Sequence, residues 1–514
     1  MLNIPFVQRK MVVFSETELS KLLKTSVTIG DIDVSWLNRV VLKDVLIEDQ
    51  KGDILLKADH ITAGFKLLPI LKNKWILTTV RLFGVTCHIQ KETSQSDTNL
   101  QFIIDALSGD SQGDSYPVLQ IESIHVRRGK ISYDVLDKEH ANQAFNPNHI
   151  TIENLSGKLS VKHYNKDSIH AIISKLSFNE LAGLKVNKVS AGITGNKDSL
   201  YIDNLSFALP HSSIFIPSAA IRFAQPDSLP LLADQTSLAI RLAPSTIAPK
   251  DFTFLTPVLK DFSDVVDISV DISGFINSLS LNQLTLTYGS DMRFFGSMDL
   301  KNAVNKEEEL YLFGQVKNMN VTTKGLQRLK NNFNLQNIPL PEPVMNLEEL
   351  NFSGEISGFT DHLVAFGNLS TAIGSVQMDM LIGQQRNRDT SLYLKGFVAT
   401  SDLQINSLFD AGNPFGKTRF HVEFDLAQLP DKSFSGAVDA QINEFEYLNY
   451  NYENIYLSGK FKENEYEGLV KVNDANGQLE MQGLFRNEDE KSVFDFLAKL
   501  THFHPDKLHL TDRF

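Results

Sequence analysis

The sequence predicts an all-β protein: an elongated, repeating, antiparallel-rich sheet, curved into a groove with one apolar inner face, plus a few short helices. Three observations predict it. Apolar and polar residues alternate over most of the chain, turn-forming residues separate the alternating runs, and an apolar–x–Gly–x–apolar pattern recurs. In Val266–Ile272, Val266, Ile268, Val270 and Ile272 alternate with Asp267, Ser269 and Asp271. Strand geometry sends successive side chains to opposite faces, so such a run has one apolar and one polar face. Val376–Ile382 and Ile455–Phe461 read the same way. Asn146-Pro147-Asn148, Asn196–Asp198, Asn413-Pro414 and Asp474–Gly477 are turn signals one or two strand lengths apart, which suggests a meander of hairpins.

Helical signals are short. Ser15–Lys24 pairs Ser15 with Glu18 as a capping box and sets Leu19, Leu22 and Leu23 on one face. Asn99–Leu107 fits two turns with Leu100, Ile103, Ile104 and Leu107 inward and Gly109 as a stop. Residues 248–262 and 322–332 are the other two candidates.

The glycine pattern occurs at Leu155-Gly157-Leu159, Ile272-Gly274-Ile276, Leu312-Gly314-Val316, Leu394-Gly396-Val398 and Leu457-Gly459-Phe461, among others. Residues two apart share a face, so each glycine lies on the apolar face between larger side chains. A strand-interior glycine permits a bend or a close approach. Two readings follow: curvature of a sheet whose core fills itself, or a notched trough that holds an apolar ligand. The trough reading nominates Val270, Ile272, Gly274, Leu312, Gly314, Val316, Met378, Met380, Leu394, Gly396, Val398, Leu457, Gly459 and Phe461 as its lining.

Composition narrows the function. The 514 residues carry a net charge of −13, and Lys and Arg are scattered among acids, so no basic stripe for nucleic acid is visible. The single cysteine, Cys87, excludes an intramolecular disulfide and reads as a buried small side chain between Val85 and Ile89. No run of 18 apolar residues can span a bilayer as a helix. Walker loops, nucleophile elbows, dinucleotide fingerprints and HExxH are missing, so no catalytic residue, cofactor or metal is expected. His502, His504 and His509 cluster without a fourth ligand and read as solvated; His125, His362 and His421 read as ordinary strand residues. Trp36 and Trp75 fit a cap over the first strands or a membrane-interface position.

Three segments carry a family resemblance. They are VTIGDIDVSWLNRVVLKDVLIED (Val27–Asp49), ILLKADHITAGFKLLPILKNKWILTTVRLFGVTCHI (Ile54–Ile89) with NLQFIIDAL after it, and NYENIYLSGKFKENEYEGLVKVNDANGQLEMQGLF (Asn451–Phe485). The chain resembles AsmA/TamB-like proteins, particularly the long TamB-like proteins of Bacteroidota, over roughly its first 110 and last 80 residues. The resemblance implies a periplasmic, inner-membrane-associated body in outer-membrane biogenesis, with a β-groove that conducts phospholipid. It also implies a fragment: the family's transmembrane anchor would precede LNIPFVQRK, and its C-terminal domain, which contacts an outer-membrane assembly protein, would follow HLTDRF. The expected organisation is a juxtamembrane segment with a short helix (1–26), an AsmA-like capping region (27–135) and a groove body (136–514). The partners expected are phospholipid acyl chains, the inner membrane and the outer-membrane assembly protein, with no nucleic acid. Rival readings are a structural β-scaffold that binds protein partners, and an adhesive protein with a Tyr447, Tyr450, Tyr452 and Tyr456 platform.

Overall fold

A computed structural model describes residues 12–13, 16–21, 23–35, 39–66, 74–108, 118–139, 145–165, 168–223, 234–262, 264–304, 308–332, 345–384, 392–409, 412–429, 433–462, 465–488 and 491–510. The chain is all-β: 26 strands stand among these residues, with two short α-helices and a helical stretch at residues 16–21. Its contacts divide it into Met1–Ser269 and Val270–Phe514.

The first unit opens with an antiparallel meander of β1 (Val27–Ser35), β2 (Arg39–Glu48), β3 (Ile54–Phe65) and β4 (Lys74–Lys91). The meander expected from the turns is then interrupted. Strands β5 (Val118–Ile121) and β6 (Ser123–Val135) pair parallel to β4. Parallel neighbours need a crossover, and α1 (Gln101–Ser108) lies in it. Antiparallel pairing resumes through β7 (His149–Asn165), β8 (Ser168–Glu180), β9 (Lys185–Asn196), β10 (Ser199–Ala208), β11 (Ser213–Arg222) and β12 (Ser237–Ile247).

The first unit has a true core at its N-terminal end. Leu23, Val27, Ile29 and Ile32 are buried, and Leu19, Val34, Val40, Phe102 and Ile103 pack against them. Residues 16–21 are helical, as the capping-box reading expects, and α1 supplies Phe102 and Ile103. The helix therefore turns differently from the expected frame, with Ile104 facing outward at 38% exposure. Asp49 fixes this arrangement: it accepts from the amides of Lys51 (2.8 Å) and Asp53 (3.0 Å) and from Asn99 Nδ2 (3.2 Å). Burial alone would raise its pKa, but those donors outweigh it and hold the carboxyl below its usual value. Cys87 is buried as expected, and burial pushes its thiol pKa up. The 248–262 candidate forms two short 3-10 turns, Pro249–Phe252 and Pro257–Asp261, and not one helix: Pro257 has no N–H to continue the hydrogen bonding of the first turn.

Strand β13 (Val266–Phe275) contains the division. The second unit continues as an antiparallel meander: β14 (Ser278–Tyr288), β15 (Met292–Lys301), β16 (Tyr311–Thr322), β17 (Glu349–Phe359), β18 (His362–Thr371), β19 (Gly374–Gln384) and β20 (Leu392–Gln404). It ends with β21 (Phe415–Gln428), β22 (Phe434–Tyr447), β23 (Tyr450–Lys462), β24 (Glu465–Asp474), β25 (Gly477–Glu488) and β26 (Lys491–Phe503). The 322–332 candidate is α2 (Thr323–Asn332), inserted between β16 and β17.

Candidate functional site: an apolar face in the second unit

Cross-strand register assembles the alternating residues into rows. One row runs Leu284–Gly296–Val316–Gly354–Gly367–Met378–Val398–Val422–Ala440–Leu457–Val470–Met481–Ala498, from β14 to β26. Beside it runs Leu281–Met298–Gly314–Ile356–Ala365–Met380–Gly396–Phe424–Val438–Gly459–Gly468–Gly483–Phe496. A third row is Leu279–Leu300–Leu312–Gly358–Leu363–Ile382–Leu394–Leu426–Gly436–Phe461–Tyr466–Phe485–Phe494. No charged residue interrupts any of the three. The opposite face is polar in places: Lys395 and Asp425 face each other there, Nζ to Oδ2 2.9 Å. That contact, then the Tyr393 hydroxyl, holds the Asp425 carboxyl below its usual range.

Eleven of the fourteen nominated residues fall in these rows: Val316, Met378, Val398 and Leu457 in the first, Gly314, Met380, Gly396 and Gly459 in the second, and Leu312, Leu394 and Phe461 in the third. Val270, Ile272 and Gly274 share one side of β13, with Val270 buried and Ile272 half-buried. Residues of the rows that no sequence pattern singled out, such as Val422, Phe424 and Val470, are found only through register.

The rows are covered unevenly. Leu284, Val316 and Ala440 are buried, whereas most other members are half-buried. Toward β26 the face opens into a hollow of about 530 Å³ lined by Val438, Leu457, Phe461, Tyr466, Val470, Met481, Phe485, Phe494 and Phe496, with Gly468 and Gly483 in its floor and Leu484 beside it. Burial raises the pKa of the Tyr466 phenol, with a smaller contribution from Asp439.

The glycines bring backbones together. Gly354 and Gly367 face each other, and a Cβ on Gly354 would lie 2.1 Å from the Phe366 carbonyl oxygen and 2.6 Å from Gly367 Cα. At Gly396 φ is +141° and a Cβ would lie 1.9 Å from the Asp379 carbonyl oxygen. Close approach of neighbouring backbones is thus what these glycines permit, which favours the curvature reading over the notch reading at these positions.

Comparisons with protein-family models, curated proteins and solved structures give no match.

The other candidates resolve into structural contacts. The rings of His502 and His504 meet edge to face at 4.6 Å, while His509 Nδ1 lies 2.8 Å from the Leu448 carbonyl, so the three do not converge. Among the described residues no group of three His, Cys, Asp or Glu side chains is placed to hold a metal. The tyrosine cluster anchors the C-terminal turns instead of forming a flat platform: Tyr452 donates to the Leu508 carbonyl at 2.7 Å, and Tyr450 donates to Asp474. Trp36 and the side chain of Trp75 lie outside the described residues.

Proposed function

We propose that this protein is a non-catalytic lipid-binding groove protein that holds or conducts phospholipid acyl chains along the apolar face of its second unit. The observation that carries the reading is the set of three uninterrupted apolar rows, ending in an open hollow. An acyl chain laid along such a face is stabilised by about 0.8 kcal/mol per buried methylene, and its headgroup stays in water. No bond is made or broken, so side-chain chemistry has no part in the process.

The resemblance of Val27–Asp49 and Asn451–Phe485 to AsmA/TamB-like segments supports a periplasmic, inner-membrane-associated role in outer-membrane biogenesis. On this reading the chain works with an inner-membrane anchor and an outer-membrane assembly protein.

The test is native mass spectrometry with lipid extraction on the chain purified from the periplasm. Co-purifying phospholipid is expected, and it should be lost in Leu457→Asp/Val470→Asp with strand content unchanged. Gly396 and Gly459 are unsuitable for this test, because a Cβ at either would strike neighbouring atoms. A lipid-free wild type, or a double variant that keeps its lipid, would contradict the proposal.

A second reading, a β-scaffold that binds protein partners, is favoured by β26. Its only ladder among the described residues is with β25, and Leu497 is 81% exposed. An unpaired edge can accept another strand.

A further inference from the structure

The first unit carries a different concavity on the face opposite its own apolar residues. Arg81 on β4 faces His125 on β6, and His125 faces Lys158 on β7. Two residues along, Ser123 faces Ser160. Thr79 stands two residues before Arg81, so it shares that face. A row of three basic side chains therefore lies beside three hydroxyls, around a polar hollow of about 530 Å³ that Glu122 and Lys162 also reach. The intervening residues Val80, Ile124 and Leu159 form a row on the other face.

Two features mark the hollow as a ligand site. Arg81 and Lys158 flank His125 from the two neighbouring strands, and neither has a carboxylate partner among the described residues. Glu122, the one acid lining the hollow among the described residues, is paired with Lys66 at 2.5 Å. Independently, Ser123 is only 8% exposed and lines the hollow, and its Oγ, shielded from solvent in this rotamer, has no hydrogen-bond partner among the described residues. A buried hydroxyl left unpaired is a cost that a ligand oxygen would remove.

We propose that this hollow binds a phosphate-class oxyanion, with Arg81 and Lys158 supplying charge-assisted hydrogen bonds and Ser123 and Ser160 donating from their hydroxyls. Burial, then Lys158 and Arg81, hold the His125 pKa below its ordinary value. A bound anion opposes that repulsion, so occupancy raises the His125 pKa. The charged groups around His125 are Arg81, Lys158, Lys162, Arg127 two residues along its own strand, and the Glu122–Lys66 pair.

The site has two sources of ligand, free phosphate and a phospholipid headgroup, and the test separates them. The full chain, labelled with ¹³C-histidine, is titrated with inorganic phosphate against chloride of equal ionic strength, using His125→Gln to assign the resonance. Phosphate is expected to move the His125 signals, raise its pKa and raise Tm. Arg81→Gln/Lys158→Gln should weaken binding about tenfold or more. Ser123→Ala should raise Tm without phosphate, because the orphaned hydroxyl is gone, and should weaken phosphate binding. Vesicles of phosphatidylglycerol in phosphatidylcholine form the second arm. Binding to vesicles alone, lost in the double variant, assigns a headgroup; binding of inorganic phosphate assigns a free anion. If neither ligand moves the His125 resonances, the proposal is overturned, whatever the acyl-chain experiment gives.

Discussion

Strands β1–β4 and strands β22–β26 follow the same alternation but finish it differently. In the first group Ile32, Val45 and Ala58 are 1%, 2% and 0% exposed, and Leu19, Phe102 and Ile103 from the helical segments pack against the cluster that holds Ile32. In the second, Leu457, Val470 and Met481 are half-buried, and Phe494 is 61% exposed. The difference is what lies over the face. Leu19, Phe102 and Ile103 cover the N-terminal cluster of the first sheet, while the hollow against β22–β26 stays open. The same pattern of residues thus makes a core in one place and a binding surface in another.

Substitutions should separate the two regions, beginning with the strongest. Ile32→Asp places a charge in a closed core and should cost more than about 4 kcal/mol, unfolding the first unit in chemical denaturation. Gly396→Ala should cost roughly 2–4 kcal/mol in the second unit, because its φ and the nearby Asp379 carbonyl leave no room for a Cβ. A wild-type midpoint would show that the backbone approach is not structural.

Much of this was legible in the sequence. Period-2 alternation is local, so Val266–Ile272, Val376–Ile382 and Ile455–Phe461 announced their faces, and the helical segments at 16–21 and Gln101–Ser108 announced themselves by apolar spacing. Register is not local. The rows, and the meeting of Arg81, His125 and Lys158, depend on pairing between distant segments, and His125 alone looked ordinary. The parallel pairing of β4 with β6 was hidden for the same reason. Glycine's role was legible as a choice between a bend and a notch, and only the approach distances decide it.

Two smaller effects sharpen the comparison. Asp49→Asn should cost roughly 1–3 kcal/mol by weakening the ties between the β2–β3 turn and the segment before α1. The Asp49 pKa is depressed in the fold, so its contribution is present above the unfolded value near 3.9 and is lost as pH falls through the lower folded value. Acid titration of stability should therefore show a shallower loss in Asp49→Asn than in wild type. Val470→Asp, on the open face, should change stability by no more than about 1 kcal/mol while reducing lipid retention. A loss as large as that of Ile32→Asp would mean that the second face is a closed core.

The most direct test is a photo-crosslinking scan along β23, with a benzophenone side chain placed in turn at positions 455 to 458, 460 and 461 in cells; Gly459 is left out because it has no room for a Cβ. The account predicts phospholipid adducts at 455, 457 and 461, and none at 456, 458 and 460. Adducts without that two-residue period, or none at any position, would contradict an acyl-chain path along the apolar rows.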